Sequence, residues 1–342
     1  MSGQGAWIIQ KPSVGRYTRD VLRLEERPLP KTPEGSVLVR AVYLSLDPSN
    51  LMWLKLLPGW MEDVRVGDVM RGPAVGVVEH SEHQDFERGD LVVGALEWRM
   101  HSVISASALT RIRPLPHTPI EAYLSILSHV GRAALIGIKL IGRARAGETV
   151  LVSAAAGATG SLACQIALHY GCRVVGIAGG SAKCSVLSSQ LGVHQTIDYR
   201  SETLETGLRR TVPDGVDVFF DNVGGETLDA ALLHLKVGAR VAICGAISQY
   251  ANATATENYR CGNLLQLLMK RASIQGFVVP DFSTRYDELD HELHGLLRYG
   301  AIASRTHVLE GLEAAAAGLE LLLSGGNHGK LLVRVSDPDA RD

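Results

Sequence analysis

Cysteine is scarce and poorly spaced for cross-linking. The 342-residue chain has five, Cys164, Cys172, Cys184, Cys244 and Cys261, an odd number with no C-x-x-C pair. That pattern argues against a disulfide framework or a structural zinc site, and each thiol is expected to pack as a small buried hydrophobe. Neither sign of charge is in excess: 34 Lys and Arg face 36 Asp and Glu, a net charge of −2. The basic footprint of a protein that binds nucleic acid or an anionic membrane is therefore missing. No window approaches the ~18 consecutive apolar residues of a membrane span. The first twenty residues, MSGQGAWIIQKPSVGRYTRD, lack the basic-then-apolar order of a secretory signal. These absences predict a cytoplasmic protein with no nucleic-acid or membrane partner. What is present is a globular composition, 46% hydrophobic and 20% charged, in a length that suits two domains.

Two textures follow one another along the chain. Residues 1–122 are rich in Pro, Gly and β-branched residues, with short apolar runs such as SVLVRAVYLSL (36–46), PAVGVVEH (73–80) and DLVVGAL (90–96) between turn signals. This predicts an antiparallel β barrel or sandwich. Residues 123–300 alternate instead. Strands are expected at 149–155, 173–179, 194–199, 216–223, 239–247 and 273–279, with helices at 160–171, 181–192, 202–212, 226–238 and 263–272. Short apolar runs alternating with amphipathic segments predict a doubly wound parallel sheet. The last stretch, 307–335, reads as a helix, a Gly-rich turn and a strand that returns to the first domain, so that 301–342 joins 1–122.

At the first of these strand-to-helix junctions stands AAAGATG. Ala154, Gly157 and Gly160 take the three small-residue positions of a dinucleotide turn, with Ala158 and Thr159 opening the helix between them. Gly157 lets backbone approach a pyrophosphate, Gly160 lets helix and strand pack closely, and the helix N-terminus offers free N–H groups. An NAD site would carry an acid about 20 residues on, at the end of the second strand. Here that strand ends in Gly179, Gly180 and Ser181, with Lys183 just after. A lone surface lysine is ordinarily only solvated, but beside a missing acid it can pair with a 2′-phosphate. Tyr199 ends the third strand, placed to close over the adenine side. The predicted cofactor is NADPH. A zinc centre is not expected, because the first domain has no cysteine and its histidines (His80, His83, His101, His117) show no ligand spacing. Substrate oxygen must then be met by hydroxyls, backbone N–H groups or the cofactor ribose.

Several long motifs carry a family resemblance. AGETVLVSAAAGATGS, GCRVVGIAGGSAKC, DVFFDNVGGETLD, CGAISQY and GNHGKLLVRV, together with SLDP and GDVMRGPAVGVVE, resemble the zinc-independent medium-chain dehydrogenases. Among these the chain is most similar to the prostaglandin reductase and alkenal double-bond reductase family. Where zinc-dependent relatives have Gly-His-Glu, this chain has Arg71-Gly72. The resemblance implies a GroES-like β-barrel domain and a Rossmann domain with the active site in the cleft between them, usually in a homodimer. It also implies NADPH-dependent reduction of a carbon–carbon double bond conjugated to a carbonyl. Carried over residue by residue, Lys183 and Tyr199 fall on the 2′-phosphate site, and Asn222 falls beside the cofactor phosphates and ribose. Cys244, Gly245, Ala246 and Ile247 offer backbone to the nicotinamide, and Asn327 falls near its amide. Tyr250 falls near the nicotinamide and the substrate carbonyl, where its phenol could donate to enolate-like oxygen.

The chain departs from the family in two places. GRAALIGI (131–138) replaces the family's GLTAYFGL, so Ala133 and Leu135 stand for a Thr and a Tyr of the cleft and Arg132 is new. DPSNLMW (47–53) replaces DPYMR, so Ser49, Asn50 and Trp53 are expected to reshape the mouth of the pocket. Three alternatives stay open on these residues: a quinone or ketone reductase, an NADPH-binding protein without turnover, or a specialised biosynthetic, even non-redox, member.

Overall fold

A computed structural model of the chain describes residues 3–29, 31–55, 64–252 and 257–338. Strands β1 (Gly3–Ile9), β2 (Leu22–Pro28) and β3 (Ser36–Leu46) precede a short helix, α1 (Asn50–Leu54). Strands β4 (Arg71–Ser81), β5 (Leu91–Glu97), β6 (His101–Ser105) and β7 (Leu109–Arg111) follow. Helix α2 (His129–Leu135) runs on as a π-helical segment (Ile136–Ile141) into β8 (Thr149–Val152). Then come α3 (Ala158–His169), β9 (Arg173–Ala178), α4 (Ser181–Ser189), β10 (Gln195–Asp198) and α5 (Leu204–Thr211). The alternation continues through β11 (Val216–Asp221), α6 (Gly225–Leu232), β12 (Leu235–Ile243), α7 (Leu265–Lys270) and β13 (Ser273–Gly276). Helix α8 (Tyr286–Arg298), β14 (Thr306–Glu310), α9 (Ala315–Leu323) and β15 (Lys330–Arg334) complete the order. The chain divides into two compact units, Met1–Leu124 with Thr306–Asp342, and Ser125–Arg305.

In the first unit a seven-stranded sheet runs β14-β15-β3-β4-β5-β7, with β6 also paired to β3, beside the β1-β2 ribbon. Backbone bonds from Trp7 to Trp98 (3.0 Å) and from Met70 to Trp7 (2.7 Å) join the ribbon to the larger sheet. Strand β15 pairs antiparallel with β3, so the last strand belongs to this unit. Residues 306–310 are a strand parallel to β15, not the start of a helix. Pairing along β15 satisfies the backbone of these five residues, and the α-helix begins only at Ala315.

The second unit is the predicted doubly wound sheet, with all six strands parallel in the order β10-β9-β8-β11-β12-β13. Successive side chains point to opposite faces. Val150, Val152, Val218 and Phe220 therefore meet α3 and α8 in one core, while Leu151, Val175 and Phe219 meet α5 and α6 in the other. Fully burying each such side chain contributes about 1.5–3 kcal/mol, which is why these strands read as unbroken apolar runs. Caps set two of the helix starts: Ser128 Oγ accepts from Val130 N–H at the start of α2, and Thr203 from Thr206 N–H at α5. The helix expected over 226–238 ends at Leu232, and Leu235 already pairs with Val216 in the sheet. Gly238, at a φ of 77°, then bends the strand and shifts its register.

Candidate functional site

The carboxyl ends of β8 to β12 carry the residues on which the cofactor reading rests. After β8 the chain turns through Ala154, held at a φ of 47°, and enters α3 from Gly157, which provides no side-chain cap. The first N–H groups of α3, at Ala158, Thr159 and Gly160, lie beyond the reach of intrahelical acceptors and can serve an anion. Gly160 is demanded by packing: a β-carbon there would run into the Ala154 carbonyl and lie 2.9 Å from Ala155 Cα.

Strand β9 is followed by Gly179 and Gly180 and carries no acid. Asp198 instead ties this turn to the next: its Oδ1 accepts from Gly180 N–H (2.7 Å) and Arg200 N–H (3.0 Å). These backbone bonds hold the Asp198 carboxyl below its ordinary range. The Tyr199 phenol lies over Gly179, where a β-carbon would sit 2.5 Å from its oxygen, and the residue is 52% exposed. A β-carbon at Gly180 would meet only Arg200 Nη1, 4.0 Å away. Burial, and then the charge of Arg200, push the Lys183 ammonium below its ordinary value. Lys183 and Arg200 are thus neighbouring cations. The Arg200 side chain has no hydrogen bond or ion pair among the described residues. Sequence reasoning missed Arg200, since an arginine just past a strand reads as solvated; only the Asp198 turn brings it round.

A third feature organises β8, β11 and β12. Asp221, fully buried, accepts from the Ser153 hydroxyl (2.6 Å) and from Val223 and Gly224 N–H (both 3.0 Å). Burial raises its carboxyl pKa against those bonds. Asn222 donates from Nδ2 to the Ser153 carbonyl (2.7 Å), so its side chain is held across the mouth of β8. Cys244 and Gly245 donate to the Asp221 carbonyl (2.8 and 3.2 Å) and Ile247 to that of Asn222 (3.2 Å). The Cys244 thiol is pushed up to about 12 by burial and by the nearby Asp221 charge, so it stays protonated. Tyr250 folds back over Gly245, and its phenol oxygen accepts from Ala246 N–H at 3.2 Å. Burial raises the phenol pKa, partly offset by that N–H. A phenol that already accepts a backbone N–H and stays protonated keeps its own hydrogen for donation.

Two residues expected at the substrate pocket pack within the second unit. The Arg132 guanidinium forms a two-pronged pair with Asp290 (2.7 and 2.6 Å) and lies 4.1 Å from the centre of the Tyr286 ring. Leu135 has no exposed surface and belongs to the hydrophobic core of this unit, with Ala133 8% exposed beside it. The partner acid lies 158 residues on in sequence, which is why the segment alone did not reveal it.

The remaining candidates lie in the first unit. Ser49 precedes α1 without capping it. Asn50 is wholly buried and Trp53 nearly so, and Asn50 Oδ1 accepts from Asp47 N–H (2.7 Å) to close the turn. Asn327 is buried and donates to the Gly329 carbonyl (2.8 Å). Three residues on, Lys330 forms a buried ion pair with Asp47, which also accepts from Ser45. This pair joins the last strand to the SLDP turn and was not foreseen.

Among the described residues no group of three or more His, Cys, Asp or Glu is placed to hold a metal ion, and no helix is long and apolar enough to cross a membrane. Family models match residues 5–112 as the N-terminal domain of oxidoreductase and residues 158–294 as zinc-binding dehydrogenase. The chain is 35% identical over 339 residues to an NADPH-dependent curcumin reductase of Escherichia coli, covering 97% of each. It is 38% identical over 311 residues to an NADP(+)-dependent 2-alkenal reductase of Nicotiana tabacum, covering 90% of each. Among solved structures it resembles CurA of Vibrio vulnificus in complex with NADPH, with a TM-score of 0.91, 34% identity and coverage of 98% and 100%. With an acid-free, cation-bearing turn on the same row of strand ends, the chain belongs to the NADP-dependent oxidoreductases of the medium-chain dehydrogenase/reductase family.

Proposed function

We propose that this protein reduces the carbon–carbon double bond of an α,β-unsaturated carbonyl compound at the expense of NADPH. The observation that carries the reading is Tyr250, whose phenol is held by Ala246 N–H with its hydrogen available, on the same row of strand ends as the Lys183 and Arg200 turn. Bound NADPH supplies the hydride that adds to the β carbon, while a proton from water adds to the α carbon, saturating one double bond and leaving the carbonyl intact. The N-terminus of α3 would face the pyrophosphate, Lys183 and Arg200 the 2′-phosphate, and Tyr199 the adenine. Asn222 would face the ribose, and the backbone of 244–247 the nicotinamide. Tyr250 donates to the carbonyl oxygen as it gains enolate character, a preorganised donor aimed at developing charge. The curcumin and alkenal reductases among the relatives support this substrate class.

The test incubates the protein with NADPH or NADH and a panel of enals, enones and quinones, following cofactor oxidation and product mass. A gain of two hydrogens at C=C with the carbonyl retained is the expected result. Alcohol or hydroquinone products alone would overturn it.

A homodimer in the cytoplasm completes the proposal. All five cysteines are free thiols, as a reducing compartment keeps them. Edge strand β13 is exposed along its length, and Leu264, Leu265, Leu268 and Met269 beside it are 51–71% exposed. An unprotected apolar edge of this kind is otherwise a liability, and a second copy would cover it. Light scattering should give twice the chain mass, and a monomeric mass would refute the dimer.

A further inference from the structure

The loop that carries Tyr250 is held from two sides. On the inner side Cys244, Gly245 and Ile247 hang from the backbone after β11, and Ser248 adds bonds to the Val223 carbonyl through its N–H (3.1 Å) and hydroxyl (2.6 Å). On the outer side the contact is Gln249, the residue before Tyr250. Its Oε1 accepts from Tyr259 N–H at 2.7 Å and from Asn252 Nδ2 at 3.3 Å. Asn252 Nδ2 also reaches the Glu257 carbonyl (3.1 Å) and Asn258 Oδ1 (2.9 Å), so the Tyr250 turn is laced to residues 257–259.

A further side chain, from α6, grips that outer segment. Asp229, on α6 and 7% exposed, accepts from Asn263 N–H (2.8 Å) and Cys261 Sγ (2.9 Å) at Oδ1, and from the Tyr259 phenol (3.0 Å) at Oδ2. Its backbone carbonyl accepts from Asn263 Nδ2 (3.1 Å). Burial opposes its charge, yet the hydrogen bonds from Cys261, Asn263 and Tyr259 hold its carboxyl below the ordinary range. Among the described residues every side-chain bond of Asp229 goes to residues 259–263 and none to its own helix. Tyr259 is 46% exposed, so its phenol anchors a ring that buries little.

We propose that Asp229 is a positioning residue for the reduction, acting through Tyr259 and Gln249 to hold the Tyr250 phenol at the substrate oxygen. This rests on the reading of Tyr250 as the oxygen donor. Asp229 touches neither substrate nor cofactor; it limits how far the outer half of the loop can move away from the row of strand ends. Loss of the grip leaves Tyr250 present but less often in place, which lowers kcat and spares the distant 2′-phosphate site.

The experiment is a double-mutant cycle on the full chain, with NADPH and an enone that the wild type reduces. Y259F, D229N and D229A are measured alone and in a Y250F background, with melting curves for each. Y259F removes one hydroxyl at a half-exposed site and so stays folded if D229A does not. Y259F is expected to lower kcat about 3- to 30-fold, with the KM for NADPH unchanged and no further loss once Tyr250 is Phe. D229N keeps an acceptor for Asn263 and Cys261 but turns an N–H toward Tyr259, so it should resemble Y259F. The same fold-loss in both backgrounds would overturn the proposal, as would a Y259F enzyme with wild-type kcat while Y250F is impaired. A Y250F enzyme at the wild-type rate would overturn the donor role of Tyr250 itself, and with it this inference.

Discussion

The cofactor choice should reside in two side chains, and removing them tests the reading most directly. Lys183 and Arg200 stand beside Gly180, where no carboxylate from the end of β9 competes for a ribose hydroxyl. A hydrogen bond to a charged group contributes ~1.5–3 kcal/mol. K183A should therefore raise the KM for NADPH about 10- to 150-fold, taking 1.4 kcal/mol per factor of ten. NADH has no 2′-phosphate, so its kcat/KM should move by less than about threefold, within the ±0.5 kcal/mol of an ordinary surface substitution. R200A should fall in the same range. Because both cations face one phosphate, the double variant should lose less than the product of the single losses. Steady-state kinetics with each nucleotide at saturating enone reads all of this. Equal losses for NADPH and NADH would refute the assignment, since the two side chains would then support the turn and not the phosphate.

Three further outcomes follow from the same geometry. The Lys183 ammonium is depressed by burial and by Arg200, and the charged form is the one that pairs with phosphate. As pH rises through that lowered pKa the free enzyme loses a cation, so the KM for NADPH should climb below pH 10.5, and K183A should flatten the profile. G160A forces a β-carbon against the Ala154 carbonyl, an overpacking that should cost ~1–3 kcal/mol. The melting temperature should fall by about 2–12 °C, and an unchanged melting curve would sink the packing argument. The Cys261 thiol, pushed up to about 11 by burial and the Asp229 bond, has a thiolate fraction of about 3 × 10⁻⁴ at pH 7.5. Maleimide should label it slowly, and faster in D229N; rapid labelling of the wild type at neutral pH would contradict the bond.

Much of the second unit was legible because each strand is covered on both faces. Val150 to Val152 and Val218 to Phe220 are wholly buried, and nothing but a parallel sheet with helices on either side calls for such runs. Legibility failed where the deciding contact is remote. LHLKVG continues the apolar rhythm of α6, yet the partner strand β11 takes it from Leu235 onward. HVLE becomes a strand only because β15 lies alongside. The partners of Arg132, Asp290 and the Tyr286 ring, are equally remote in sequence.

The site divides in the same way. Positions defined by what backbone geometry permits, such as Gly160 under Ala154 or Gly179 under Tyr199, can be found from residue type and spacing. Positions defined by what a buried acceptor collects cannot. Asp221 gathers Ser153 from 68 residues away, and Asp229 gathers Tyr259, Cys261 and Asn263 from about thirty. Neither acid sits on a periodic face or in a spacing that a motif would report. Both nonetheless decide where Asn222 and the Tyr250 loop stand, because a buried carboxylate must find its donors or raise its pKa and neutralise. Asp221 shows the first half of that bargain failing in part, since burial still lifts its carboxyl, whereas the donors around Asp229 prevail. The Asp229 grip should accordingly persist as pH falls to its depressed pKa, below the ordinary 3.8 of an aspartate, while the Asp221 carboxyl takes up its proton above that value. On acidification the carboxylate bonds of Asp221 to Ser153, Val223 and Gly224 should therefore weaken before those of Asp229 to Tyr259, Cys261 and Asn263.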